Sequence, residues 1–168
     1  MTAAEEPHPC ACCSGSAAPA TAASCPVCGG AGKPVQTATM RTLLEARAGA
    51  TVEEGPWRFC ETPGCEVVYF SPETNRTFHK NQLTVRVGIK ETEAPHPLCY
   101  CFGHSLESLG AEWEGTGRLD SVEAIRTAVK KGRCRCDQMN PSGACCLGEV
   151  MKVAKAIQEA SVPRPGRG

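Results

Sequence analysis

Thiols dominate the chemistry open to this sequence. It carries 13 cysteines in 168 residues, roughly 8% of the chain, near the level at which a short sequence is held by cross-links or metal ions. The count is odd and two pairs are directly adjacent, Cys12–Cys13 and Cys145–Cys146, which is a poor basis for a disulfide framework. Most of the others sit two to five residues apart, a spacing that lets neighbouring thiolates converge on one ion. The stretch Met1–Cys10 contains Glu5 and Glu6 and lacks the basic and apolar regions of a secretory signal. A cytoplasmic setting is therefore expected, where thiols stay reduced.

Cys25-Pro-Val-Cys28-Gly-Gly reads as a knuckle in which glycine lets backbone amides turn toward the thiolates. A second close pair, Cys60-Glu-Thr-Pro-Gly-Cys65, follows after a long gap and leads into an apolar run. Cys25, Cys28, Cys60 and Cys65 thus supply four thiolates, the donor set of a tetrahedral structural Zn2+ with no open position. The competing readings are a rubredoxin-like iron site and reduced core cysteines.

The second constellation joins Cys99-Tyr-Cys101 to the segment from Cys134-Arg-Cys136 to Cys145-Cys146, which is rich in turn residues (Asn140-Pro141, Ser142-Gly143). Four thiolates gathered at loops and helix starts suit a [2Fe–2S] cluster, whose negative charge backbone amides and the adjacent Arg133 and Arg135 would offset. Two candidates stand at each of the later places, Cys134 or Cys136 and Cys145 or Cys146, and a second zinc is the competing reading. Cys10, Cys12 and Cys13, beside His8, lie on an Ala/Pro/Ser-rich arm. Accessible thiolates there would suit capture of a soft ion such as Cu+ or Hg2+. His79, His96 and His104 lie near these segments and are read as solvated or supporting groups.

The elements that must position these groups change character along the chain. Residues 1–24 show no periodicity and are expected to be a disordered arm. Glu66–Phe70 is a β-rich run, and Leu83–Ile89 alternates with period two, as a half-buried strand should. A short helix is expected around Arg41–Ala48, ended by Gly49. Beyond Ala94-Pro-His-Pro97 the period turns helical. Leu119, Val122, Ile125 and Val129 share a face, with Asp120 as expected N-cap and Gly132 as stop. Leu147, Val150, Val153, Ala154 and Ile157 form a second stripe, and a shorter helix is expected near Ser105–Trp113. The expected fold class is α+β: a small β-rich zinc-binding module over 25–95, then a small helical [2Fe–2S]-binding module over 96–160, with 161–168 as a tail.

Taken together, Cys25-x-x-Cys28, Cys60-x4-Cys65-Glu-Val-Val-Tyr-Phe, Val85-Arg86-Val87-Gly88, Cys99-Tyr-Cys101 and Asn140-Pro-Ser-Gly-Ala-Cys-Cys146 resemble the N-terminal zinc/[2Fe–2S] region of CopZ-type copper chaperones. The second part of that region is similar to bacterioferritin-associated ferredoxin. The resemblance, over roughly 24–160, implies Cys25, Cys28, Cys60 and Cys65 as zinc ligands. It implies Cys99, Cys101, Cys136 and Cys146 as cluster ligands, with Cys134 and Cys145 as alternates. Full-length members of the family continue into a ferredoxin-like domain with a Met-x-Cys-x-x-Cys copper loop. No such loop occurs in this sequence, so copper delivery through that domain is not expected of it.

Lys+Arg and Asp+Glu balance at 18 each, which argues against a general nucleic-acid or membrane-surface binder. No run of about 18 apolar residues is present to span a membrane. No nucleophile–base pair, phosphate loop or open metal site suggests an enzyme. The expected function is metal handling, as a metallochaperone or copper- or mercury-resistance accessory. Its partners would be the metal cargo and a metal-transporting membrane protein or redox partner. The alternative is a one-electron carrier or redox/iron sensor of the bacterioferritin-associated ferredoxin type.

Overall fold

The central strands are buried along their whole length because both of their faces are covered. Trp57–Cys60 (β2) and Val67–Phe70 (β3) are fully buried, and they pair antiparallel between Gly32–Val35 (β1) and Thr77–His79 (β4) in the order β1-β2-β3-β4. One face packs Trp57, Phe59 and Tyr69 with Met40, Leu44 and Leu83 in the main core. The other face carries Cys60, Val67 and Phe70 with Cys25 and Cys65. A register shift between Val67 and Tyr69 sends these two residues, which plain alternation would put on one side, to opposite cores. The computed structural model describes residues 23–161. The expected arm, apart from residues 23–24, and the expected tail, apart from residue 161, lie outside the described residues.

Two sequence expectations for this half fail. Leu83–Ile89 is not a strand: Leu83 makes an isolated bridge to Leu44, and Gly88–Lys90 is a 3-10 turn. Its alternation reports burial of Leu83 and Val87 in the core, while its backbone bonds run to a helix junction, Thr84 N–H to Leu43 O and Glu45 N–H to Gln82 O. The helix expected at Arg41–Ala48 is two short ones, Thr37–Leu43 (α1) and Ala46–Gly49 (α2), broken where Leu44 turns extended to make that bridge.

The second half is helical. Pro97–Cys99 (β5) and His104–Ser105 (β6) form a hairpin that leads into Leu106–Thr116 (α3). Ser105 and Ser108 cap α3 reciprocally, each side chain bonded to the other's backbone N–H. Asp120–Lys130 (α4) begins one residue earlier than a capping Asp120 would require. Asp120 is its first residue, pairs with Arg118, and Leu119 holds the cap position without a side-chain bond. Cys136–Met139 (α5) and Leu147–Ala160 (α6) follow. Leu109, Val122, Ile125, Val150 and Ala154 form a core that also contains Cys99, Cys134, Cys136 and Cys146.

The halves touch along α1 and α5. Tyr69 Oη donates to Pro141 O at 2.9 Å, and Thr39 Oγ1 donates to Asp137 O. Tyr100 Oη accepts from Gly88 N–H at 2.9 Å and donates to Arg86 O at 3.1 Å. Among the described residues, no helix is long and apolar enough to cross a membrane.

Candidate metal centres

Each half of the first centre is a turn made by a left-handed glycine. Gly29 follows Cys28 with φ 71°, and Gly64 precedes Cys65 with φ 69°, a region that a side chain would strain. The turns bring the Sγ atoms of Cys25, Cys28, Cys60 and Cys65 within 4.8 Å of one another, with Cys28 and Cys60 3.6 Å apart. Four thiolates at 2.3 Å from one tetrahedral ion stand about 3.8 Å apart, so this donor set fits zinc. Cys25, Cys60 and Cys65 are buried and Cys28 is exposed.

Electrostatics differ around the four sulfurs. Thr62 Oγ1 lies 3.2 Å from Cys28 Sγ, and its hydrogen bond, with the Gly30 backbone, draws the Cys28 thiol down to about 6. Burial pushes Cys65 up to about 12 and also raises Cys25, against the backbone amides of Cys28 and Val27 that point at the Cys25 sulfur. Cys28 is thus the ready thiolate, and an arriving ion must displace protons from Cys25 and Cys65. Lys90 holds the second turn in place. It is fully buried, donates from Nζ to Thr62 O at 2.7 Å, and lies above the Phe59 ring.

The second centre is a string rather than a knot. Cys101 Sγ lies 3.6 Å from Cys136, Cys136 lies 4.0 Å from Cys146, and Cys146 lies 3.3 Å from Cys99. These spacings bracket that of two thiolates on one metal ion, and Arg135 N–H points at Cys101 Sγ from 3.2 Å. Four cysteines with amides aimed at sulfur fit the donor set of an iron–sulfur cluster. The thiol of Cys146 is raised by its bonds to Cys136 and Cys99. The same bonds pull Cys136 down to about 5 and lower Cys99. Burial lifts Cys101 to about 12.

Cys134 and Cys145 are not at the ends of this string. Their Sγ atoms group with that of Cys136, all three within 4.8 Å of one another. Cys10, Cys12 and Cys13 lie outside the described residues. The histidines have other partners or positions: His79 Nε2 meets Thr77 Oγ1 at 3.3 Å, His96 Nδ1 meets Glu107 Oε1, and His104 lies in β6.

Sequence reasoning passed over Thr62, Lys90 and Tyr69. Thr62 lies inside the second knuckle, where a hydroxyl between two thiolates is a legible signal. Lys90 and Tyr69 carry none, since their roles depend on contacts between residues far apart in sequence.

Residues 22–84 match the family model described as a CopZ zinc binding domain. The copper chaperone CopZ of Archaeoglobus fulgidus is 39% identical over 133 residues, covering 69% of this chain and 63% of that protein. The chain thus spans less than two thirds of the curated relative it matches. The X-ray structure of the N-terminal domain of the same CopZ superposes with a TM-score of 0.66 at 34% identity, covering 77% of this chain and 96% of that one. By that match over nearly a whole solved domain, the chain belongs to the CopZ family, with an N-terminal domain of the CopZ zinc-binding type.

Proposed function

We propose that this protein is a metallochaperone, or a copper- or mercury-resistance accessory, that carries two resident metal groups and hands on a soft ion. Cys25, Cys28, Cys60 and Cys65 hold a structural Zn2+, and Cys99, Cys101, Cys136 and Cys146 hold a [2Fe–2S] cluster. The observation that carries the reading is the convergence of two separate thiol groups, one on the far face of the sheet and one among the helices, in a relative of a copper chaperone. When bound, the cluster supplies one-electron chemistry. The chain's own residues bury it, aim amides at its sulfurs, and brace its loop from the first half through Tyr69 and Thr39. The cargo is Cu+ or Hg2+, because soft thiolates select such ions. Cys10, Cys12 and Cys13 offer capture, and delivery is to a metal-transporting membrane protein or a redox partner. The setting is the cytoplasm, and the role is that of a carrier rather than an enzyme.

Anaerobic purification with metal analysis and visible and EPR spectra tests the resident groups. One zinc and two irons per chain are expected, and a colourless protein with two zincs and no iron would remove the cluster. Titration with Cu(I) or Hg(II) tests the cargo. A chain that takes up no soft ion beyond its resident metals is an electron carrier or sensor instead.

A further inference from the structure

The helical half holds six cysteines where a four-thiolate centre needs four. The two that the string does not use are brought to the same third residue. Cys134, Cys136 and Cys145 have their sulfurs within 4.8 Å of one another. We propose that these three thiolates form a three-coordinate site for a soft monovalent cation, Cu(I), built onto the edge of the second centre through the shared Cys136. This deepens the metallochaperone reading above and rests on it.

The donor set selects the ion. Thiolates favour Cu(I) over harder cations, and a filled d shell tolerates three ligands. A structural zinc would need a fourth protein donor, and the group among the described residues has three. Local structure keeps the donors in place. Arg133, Cys134, Arg135 and Cys136 alternate exposed and buried, so both cysteines of the pair are buried while both arginines are exposed. Cys145 is delivered by a braced loop. Asn140 donates from Nδ2 to Ala144 O at 2.8 Å and accepts from Ser142 N–H at 3.1 Å, while Tyr69 holds Pro141. Cys134 and Cys136 are buried and Cys145 is half-buried, which leaves one accessible sulfur at which an incoming ion exchanges ligands.

Sharing Cys136 links the two occupations. Its sulfur is also 3.6 Å from Cys101 and 4.0 Å from Cys146, so Cu(I) on the triad touches a ligand of the string. Copper binding then alters the visible spectrum of the second centre, which capture by the N-terminal arm would not do.

The test uses the full chain, purified anaerobically with its resident metals, in a Cys10/Cys12/Cys13→Ser background. Cu(I) alone is titrated in competition with a chromophoric chelator. The background protein is expected to retain one Cu(I) per chain, with a change in its visible bands. Adding Cys134→Ser and Cys145→Ser is expected to weaken that retention by more than about 100-fold, beyond the loss typical of removing a supporting group, and to abolish the spectral change while zinc and iron contents stay the same. Cys145→Ser alone, at the half-buried position, is expected to weaken it by about 10-fold or more, which keeps the test open should the double substitution misfold. Equal retention by parent and variants overturns the proposal. So does loss of iron in Cys145→Ser, which would make that residue a ligand of the resident centre. If the background retains no Cu(I) but the unsubstituted chain does, the triad is wrong and the metallochaperone reading stands. If neither retains it, both fall.

Discussion

The two thiol centres are built on opposite principles. The first takes its four sulfurs from two turns beside neighbouring strands, and each turn is made locally by cysteine spacing and a left-handed glycine. Its supports, Thr62 and Lys90, lie in the same half. The second gathers sulfurs from three separated segments and offers more thiols than one tetrahedral or cluster site needs. Its loop is also held from outside, by Tyr69 and Thr39 of the first half. A self-contained centre tolerates loss of its neighbour, whereas a borrowed one inherits its neighbour's defects. The loop of the second centre should therefore depend on the first half, although Tyr100 of the second half also bonds Gly88 and Arg86 of the first.

The largest expected effect comes from Cys60→Ser. Cys60 is fully buried beside β3, and metal binding at such a site is also folding free energy. The substitution should empty the first centre and cost on the order of several kcal/mol. By the asymmetry above, it should also loosen the loop of the second centre. Metal analysis and thermal melting report both, and unchanged zinc content would show that the quartet is no metal site. Tyr69→Phe comes next. It keeps the ring in the core but removes the 2.9 Å bond to Pro141 O, leaving a buried carbonyl unpaired at a cost of about 1–3 kcal/mol. Zinc should stay, while the visible colour should bleach faster under chelator challenge. Equal bleaching in parent and variant would mean that the halves are independent.

How far the sequence could be read follows the same divide. The knuckles, the Val67–Phe70 strand and the stripes of α4 and α6 rest on spacing within a few residues of one another, and short-range pattern determines them. Leu83–Ile89 misled because alternation encodes burial and not ladder partners; its partner is the break between α1 and α2. Asp120 failed as a cap because Arg118 two residues away competes for its carboxylate. Spacing alone cannot sort Cys134, Cys136, Cys145 and Cys146; only the family resemblance singles out Cys136 and Cys146, with the other two as alternates. Adjacent or alternate cysteines differ in where they point only once α5 and the Asn140 loop are docked on α1.

Thr62→Val sharpens the comparison from the other side. Valine matches threonine in shape but cannot hydrogen-bond to Cys28, so the thiol of Cys28 loses the main cause of its low value, about 6. A group that supports a metal ligand in this way is worth about 10–100-fold in affinity, and competition with a zinc chelator measures it. The expected loss is confined to zinc, with the iron spectrum unmoved. A matching loss of iron colour would show that the hydroxyl acts through the fold and not through the first centre.

The smallest effect tests the joint between the halves. His96 lies where the strand-rich part gives way to the hairpin, and Glu107 in the first turn of α3 takes both its ring nitrogen and, at 2.9 Å, its backbone N–H. Those bonds hold the Glu107 carboxyl down at about 2, against about 4.3 for an unfolded glutamate. A depressed carboxyl adds stability that is fully present above the unfolded value and is lost as pH falls through the folded one. Glu107→Gln removes that titration while keeping the shape. The parent should therefore melt higher than the variant above about pH 5, with the gap closing between about pH 4 and 2. Acid also strips metal from thiolates, but it does so in both proteins, so the difference between their melting temperatures isolates the pair. The gap is expected to be small, because the carboxyl is open to solvent and screened. A gap of the same size at pH 5 and pH 2.5 would assign it to packing at the start of α3, and the joint would then owe nothing to charge.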